Sequence, residues 1–128
     1  MIKEAYCSFE VAKLLKEKGF KEECEYFYDW YKESESYHIC SNGGTCNNER
    51  YPDEYSMPTH QMAMAWLREV HNVVIVIDVC RETGREGFYC WQLEDNHTGD
   101  NIVNIVGECP TYEKAVEAAL KYVLENLI

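Results

Sequence analysis

His38, Cys40 and Cys46 fall within nine positions around an Asn42-Gly43-Gly44 turn signal, and imidazole and thiolate are the groups zinc prefers. A zinc centre takes four such ligands in a tetrahedron and usually draws two from a close pair with two to four residues between them. Cys40 and Cys46 have five residues between them. A fourth ligand, His60 or Cys109, would have to be brought in by a fold-back. These three are therefore poor metal candidates, and the expectation is no metal and no cofactor.

A second chemistry, nucleophilic attack by cysteine, needs a thiolate activated by a nearby histidine. With seven cysteines and four histidines (His38, His60, His71, His97), an accidental pair is easily found, and none lies in a recognised local signature. Acid–base work by paired carboxylates is no better marked, because 23 acidic residues make spacing uninformative. GxGxxG, P-loop and GxSxG patterns are absent from the sequence. His71, at the end of a helical pattern, suits the helix dipole. No catalytic residue is assigned.

Aromatic residues are the other dense feature. Tyr26, Phe27, Tyr28, Trp30, Tyr31 and Tyr37 crowd one segment, and Tyr51 and Tyr55 follow. If half of these rings face a core, the rest are exposed amphipathic rings of the kind interfaces favour. Tyr31, Tyr37, Tyr51 and Tyr55 are the candidate interaction surface, for another protein or a second copy.

The elements that must hold these residues come from one short acidic chain. Its 128 residues suit a single globular domain spanning 1–128. Twelve basic against 23 acidic residues give 12 − 23 = −11, with no block of like charge. That balance opposes nucleic-acid binding through a basic face and docking on an anionic membrane. The longest aliphatic run, Val73 to Ile77, has five residues, against the roughly 20 of a membrane helix. Met1-Ile2-Lys3-Glu4-Ala5-Tyr6-Cys7 shows no apolar stretch followed by a cleavage site, so a cytoplasmic setting with free thiols is expected. Cys24, Cys80 and Cys90 read as small hydrophobes in apolar surroundings.

Ser8 caps a first helix with Val11, Leu14 and Leu15 as its stripe, and Gly19 stops it. Residues 24–31 alternate as an aromatic strand, with 37–40 returning as its partner. Residues 46–57 read as a surface loop. A second helix opens at Pro58-Thr59, carries Met62, Ala63, Trp66, Leu67 and Val70 inward, and ends at Asn72. Val73 to Val79 is β-branched on both faces, which predicts a central strand. A hairpin loop over 81–87 leads to a strand with Tyr89, Trp91 and Leu93 inward, then a polar turn over 95–101 and a third strand over 102–106. Thr111 caps the last helix, whose stripe is Ala115, Val116, Ala119, Leu120, Val123, Leu124 and Leu127. The order α-β(β)-α-β-β-β-α predicts an α+β fold of two layers. One antiparallel sheet of four or five strands would pack against two or three helices.

Three segments resemble a known family. They are Ser8-Phe9-Glu10-Val11-Ala12-Lys13-Leu14-Leu15-Lys16-Glu17-Lys18-Gly19-Phe20, then Pro58-Thr59-His60-Gln61-Met62-Ala63-Met64-Ala65-Trp66-Leu67-Arg68-Glu69-Val70-His71-Asn72, then 112–128. Together they are similar to a family of short uncharacterised proteins encoded by phages and mobile elements of Bacteroides-type gut bacteria. The resemblance implies a small accessory protein of the bacterial cytoplasm and carries over no activity, cofactor or residue role. From the residues themselves, a non-enzymatic protein acting through protein–protein interaction comes first. A small-molecule or metal-binding domain is the alternative, and a small cysteine/histidine enzyme comes third.

Overall fold

The computed structural model describes residues 2–81, 84 and 86–128, with the backbone alone at 104–107. The fold is α+β, as the pattern of elements predicts, with strands in two antiparallel sheets of three instead of one sheet of four or five. The chain divides into two compact units, Met1–Thr59 and His60–Ile128.

In the first unit, α1 (Phe9–Glu17) is capped as its sequence requires: Ser8 Oγ accepts from the Val11 amide. Gly19, at φ 92°, lets the Phe20 amide turn back to the Leu15 carbonyl. Val11, Ala12 and Leu15 are buried along one face. The sheet runs β2 (Ser36–Cys40), β1 (Tyr26–Tyr31), β3 (Tyr55–Met57), so β1 is central. Tyr28 stands opposite both Ile39 and Tyr55, and Trp30 opposite Tyr37. Opposed residues of an antiparallel pair share a face. Helix α1 covers that face through Phe9, whose ring lies 4.2 Å from Tyr37, 5.4 Å from Tyr55 and 5.5 Å from Tyr28.

The other face carries Phe27 and Ser56, both buried. Of the stretch over 46–57 that the sequence suggested as a surface loop, Glu49 to Asp53 are exposed, Cys46 is buried and Tyr55–Met57 is strand β3. Cys46 forms a two-hydrogen-bond bridge with Cys24. Asn48 accepts from the Ser56 amide and donates to the Phe20 carbonyl. The Arg50 guanidinium lies 4.9 Å over Phe27 and grips both carboxylate oxygens of Glu54. Lys16 fixes the far end by donating to the carbonyls of Tyr51, Pro52 and Glu54 at 3.0, 2.9 and 2.6 Å. Composition marks such a segment as polar, whereas its order comes from these long-range bonds.

The second unit runs α2 (His60–His71), β4 (Val73–Val79), β5 (Tyr89–Asp95), β6 (Asn101–Cys109), α3 (Tyr112–Asn126). The strands form an antiparallel meander with β5 in the middle. Strand β4 is thus an edge strand, not the central one its β-branched run suggests. Ile75 and Ile77 share the face of Leu93 and Trp91, while Val74 and Val76 line up with Glu94 and Gln92 on the opposite face. Helices α2 and α3 touch each other and both lie against the sheet. Trp91 and Leu93 are buried, as are Ala115, Val116, Ala119, Leu120, Val123 and Leu124 of α3. Each such Val or Leu contributes about 1.5–3 kcal/mol. Thr111 caps α3 by accepting from the Lys114 amide, and Asn72 ends α2 at φ 62°. Val70, expected inward, is 59% exposed. The expected hairpin loop over 81–87 lies partly outside the described residues, at 82, 83 and 85.

Cys80 and Cys90 form a disulfide, Cα atoms 5.7 Å apart. This overturns their reading as unpaired packing residues. Cys80 is opposite Phe88 and Cys90 opposite Asp78, which sets both thiols on one face across the same hairpin. Cys7, Cys24, Cys40, Cys46 and Cys109 take part in no disulfide among the described residues.

Candidate functional site

The hairpin β1–β2 is the candidate site, and its two faces present different side chains. A four-residue turn over 32–35 joins the strands, with Glu35 in the left-handed region at φ 49°. On the α1 side, Trp30 meets Tyr37 edge-on at 5.1 Å and is 44% exposed, while Ile39 beside them is 60% exposed. Asp29, Trp30, Lys32, Tyr37 and Asp53 line an open hollow of about 490 Å³. On the opposite face, Tyr31 stacks on His38 at 4.5 Å and shares a hydrogen bond of 3.4 Å with Cys40 Sγ. His38 Nε2 lies 2.8 Å from Ser34 Oγ and 3.1 Å from Ser36 Oγ.

The four tyrosines named from the sequence occupy different settings. Tyr31 is 41% exposed, and the bond to Cys40 pushes its phenol above the usual tyrosine range. Tyr51 is 56% exposed, with Arg50 5.1 Å over its ring. Tyr37 and Tyr55 are half-buried in one ring cluster with Phe9. Burial first, then Tyr55 and Asp53, raises the Tyr37 phenol. Lys16 sits 4.7 Å over the Tyr55 ring. Trp30 and Ile39, the most exposed large apolar side chains of the hairpin, were not among the surface residues named from the sequence. Strand alternation places Trp30 on one face with Cys24, Tyr26 and Tyr28, but does not show that α1 stops short of covering it.

His38, Cys40 and Cys46 are not gathered. His38 and Cys40 are exposed and half-exposed on β2, whereas Cys46 is buried against Cys24. Among the described residues, none of the three belongs to a group of three His, Cys, Asp or Glu whose ligand atoms lie within 4.8 Å of one another. The Cys24 thiol is pushed up to about 12, chiefly by burial and then by neighbouring Cys46, which suits packing and not nucleophilic attack. In the second unit, His60 is buried with Nε2 2.9 Å from Glu117 Oε1 on α3. His71 lies edge-on to Trp66, and His97 donates its amide to Asp95. Cys109 is half-buried at the end of β6. A second hollow, about 210 Å³, lies over the Cys80–Cys90 bond and is flanked by Val76, Gln92 and Glu108.

The chain matches no protein-family model, no curated protein and no solved structure. Among the described residues, no helix is long and apolar enough to cross a membrane.

Proposed function

We propose that the chain is a non-enzymatic accessory protein that works by binding another protein through hairpin β1–β2. The observation that carries this proposal is the outward placement of Trp30, Tyr31 and Ile39 on one hairpin, in a chain of net charge −11. Interface cores are enriched in Trp and Tyr and depleted of charge, and a few such residues supply most of the binding energy. The strand β2 itself, Ser-Tyr-His-Ile-Cys, carries no Lys, Arg, Asp or Glu. Edge strands that avoid partners usually display such charges or a proline. The accessory role in a bacterial cytoplasm, which the resemblance to phage and mobile-element proteins implies, belongs to the same proposal.

The test is affinity capture from a bacterial host lysate with two baits, the wild-type chain and the double variant Trp30→Ser, Ile39→Lys. A polypeptide held by the wild type and lost by the variant, then reconstituted from pure components, is the expected result. Equal recovery of every protein by both baits sinks the proposal. The hollow beside Trp30 favours a small-molecule reading as second, and a low-mass ligand retained in native mass spectrometry of the wild type is its test.

A further inference from the structure

We infer that the hollow beside Trp30 is a guanidinium site, filled by an arginine side chain of the protein that the hairpin binds. This site rests on the hairpin-binding proposal and names the chemistry of the partner. Asp29, Trp30, Lys32, Tyr37 and Asp53 line the hollow. Strand β3 pairs with β1 only as far as Tyr28, which stands opposite Tyr55. Beyond that pair the edge of β1 is open, and there the Trp30 amide donates to Asp29 Oδ1 at 3.0 Å. The Asp29 carboxylate is thereby held at the open edge. Burial first, then Tyr55, then the charges of Asp53 and Asp29 raise the Tyr37 phenol, so both carboxylates lie near that ring.

The same unit shows how the chain fills such a combination with its own side chains. Arg50 lies 4.9 Å over Phe27 and 5.1 Å over Tyr51 while it binds both carboxylate oxygens of Glu54. Lys16 lies 4.7 Å over Tyr55 and is committed to three backbone carbonyls. A cation set over a ring face and against a carboxylate is attracted by both. In the hollow, Trp30 and Tyr37 supply the rings and Asp29 and Asp53 the carboxylates. Among the described residues, no cation lies over Trp30 or Tyr37, and neither Asp29 nor Asp53 is in an ion pair.

Arginine fits this lining better than lysine. Its planar guanidinium stacks on aromatic faces, presents a fork of donors to carboxylates and is the more weakly hydrated of the two cations. Trp, Tyr and Arg are also the residues on which binding energy concentrates. Lys32 works against any cation here, because its own charge lines the hollow. Two carboxylates outnumber that one ammonium, and the chain as a whole carries −11, so the field favours a positive ligand. Lys32 is exposed, and its flexible stem lets the ammonium turn to water. Its opposition gives the inference a sign: removing the Lys32 charge strengthens an arginine ligand and weakens an anionic one.

The test titrates the full chain with acetyl-Gly-Arg-Gly-amide and with its citrulline counterpart, which keeps the shape and lacks the charge. The Trp30 indole N–H signal in NMR is the readout. A saturable shift with the arginine peptide and none with citrulline is expected. Asp53→Asn should weaken binding about threefold, and Lys32→Met should strengthen it by about the same factor. Both side chains are exposed, so the fold should tolerate either change, and each variant decides without the other. Equal binding of the two peptides, or weaker binding by Lys32→Met, overturns the guanidinium site. Tighter binding of free spermidine than of the arginine peptide overturns a partner side chain as its source, as does peptide binding with no protein captured by the hairpin. Failure of the arginine peptide while a Trp30-dependent protein is still captured overturns the site and leaves the hairpin-binding proposal standing.

Discussion

Opening the Cys80–Cys90 bond has a calculable cost. The bond joins β4 to β5 across a sequence separation of 10. On the chain-entropy account, a cross-link removes 2.1 + 1.5R ln n cal/mol/K from the unfolded chain, which for n near 10 is about 9 cal/mol/K, or about 2.7 kcal/mol at 25 °C. The double variant Cys80→Ser, Cys90→Ser should lose that amount, because the strands keep their register through the seven paired positions from Val73 to Val79. The assay is urea unfolding of protein handled without reductant, followed by the fluorescence of buried Trp66 and Trp91. With a slope of about 2 kcal/mol/M, the midpoint should fall by roughly 1.3 M. Thiol titration of the unfolded, unreduced wild type should count five free cysteines. Seven thiols, or a midpoint that the double variant leaves in place, refutes the reasoning.

Three other outcomes follow from the geometry. Lys16→Met keeps the aliphatic stem but removes the donor to three carbonyls and the cation over Tyr55. The exposed carbonyls rehydrate, so the loss should be about 2 kcal/mol in urea unfolding, with faster hydrogen exchange at Arg50, Glu54 and Ser56. Cys24, held near 12, should carry roughly a thousandfold less thiolate at pH 8 than an ordinary cysteine. Iodoacetamide should therefore label Cys40 while leaving Cys24 intact, as read by peptide mass spectrometry. The amides of Thr98 and then His97, with help from the Asn72 side chain, hold the Asp95 carboxyl below the ordinary carboxylate range. A depressed carboxyl stabilises the fold above its unfolded value near 3.8 and loses that contribution as pH falls through the folded one. Thermal melts of Asp95→Asn should accordingly lose less stability than the wild type between about pH 4 and pH 2.

The helices were legible because their signals are local. Ser8 and Thr111 cap, Gly19 and Asn72 stop, and the stripes of α1 and α3 match the buried faces. Strand pairing is not local. Nothing in the run Val73 to Val79 tells an edge strand with one open face from a central strand, since valine serves both. Division into two sheets depends on β3, three residues long, finding β1 across the chain. Cys80 and Cys90 read alike whether packed or bonded, as spacing fixes no pairing. Aromatic density picked out the hairpin β1–β2. It could not separate Tyr37 and Tyr55, taken up by Phe9, from Trp30 and Ile39, left in the open.

Hydrogen exchange on the chain with its captured partner, compared with the dilute chain alone, tests the hairpin proposal most directly. Slowing confined to Ser36–Cys40 and to the peptides carrying Trp30 and Tyr31 is the predicted result. Protection that falls elsewhere and leaves Ser36–Cys40 exchanging at its dilute rate contradicts it.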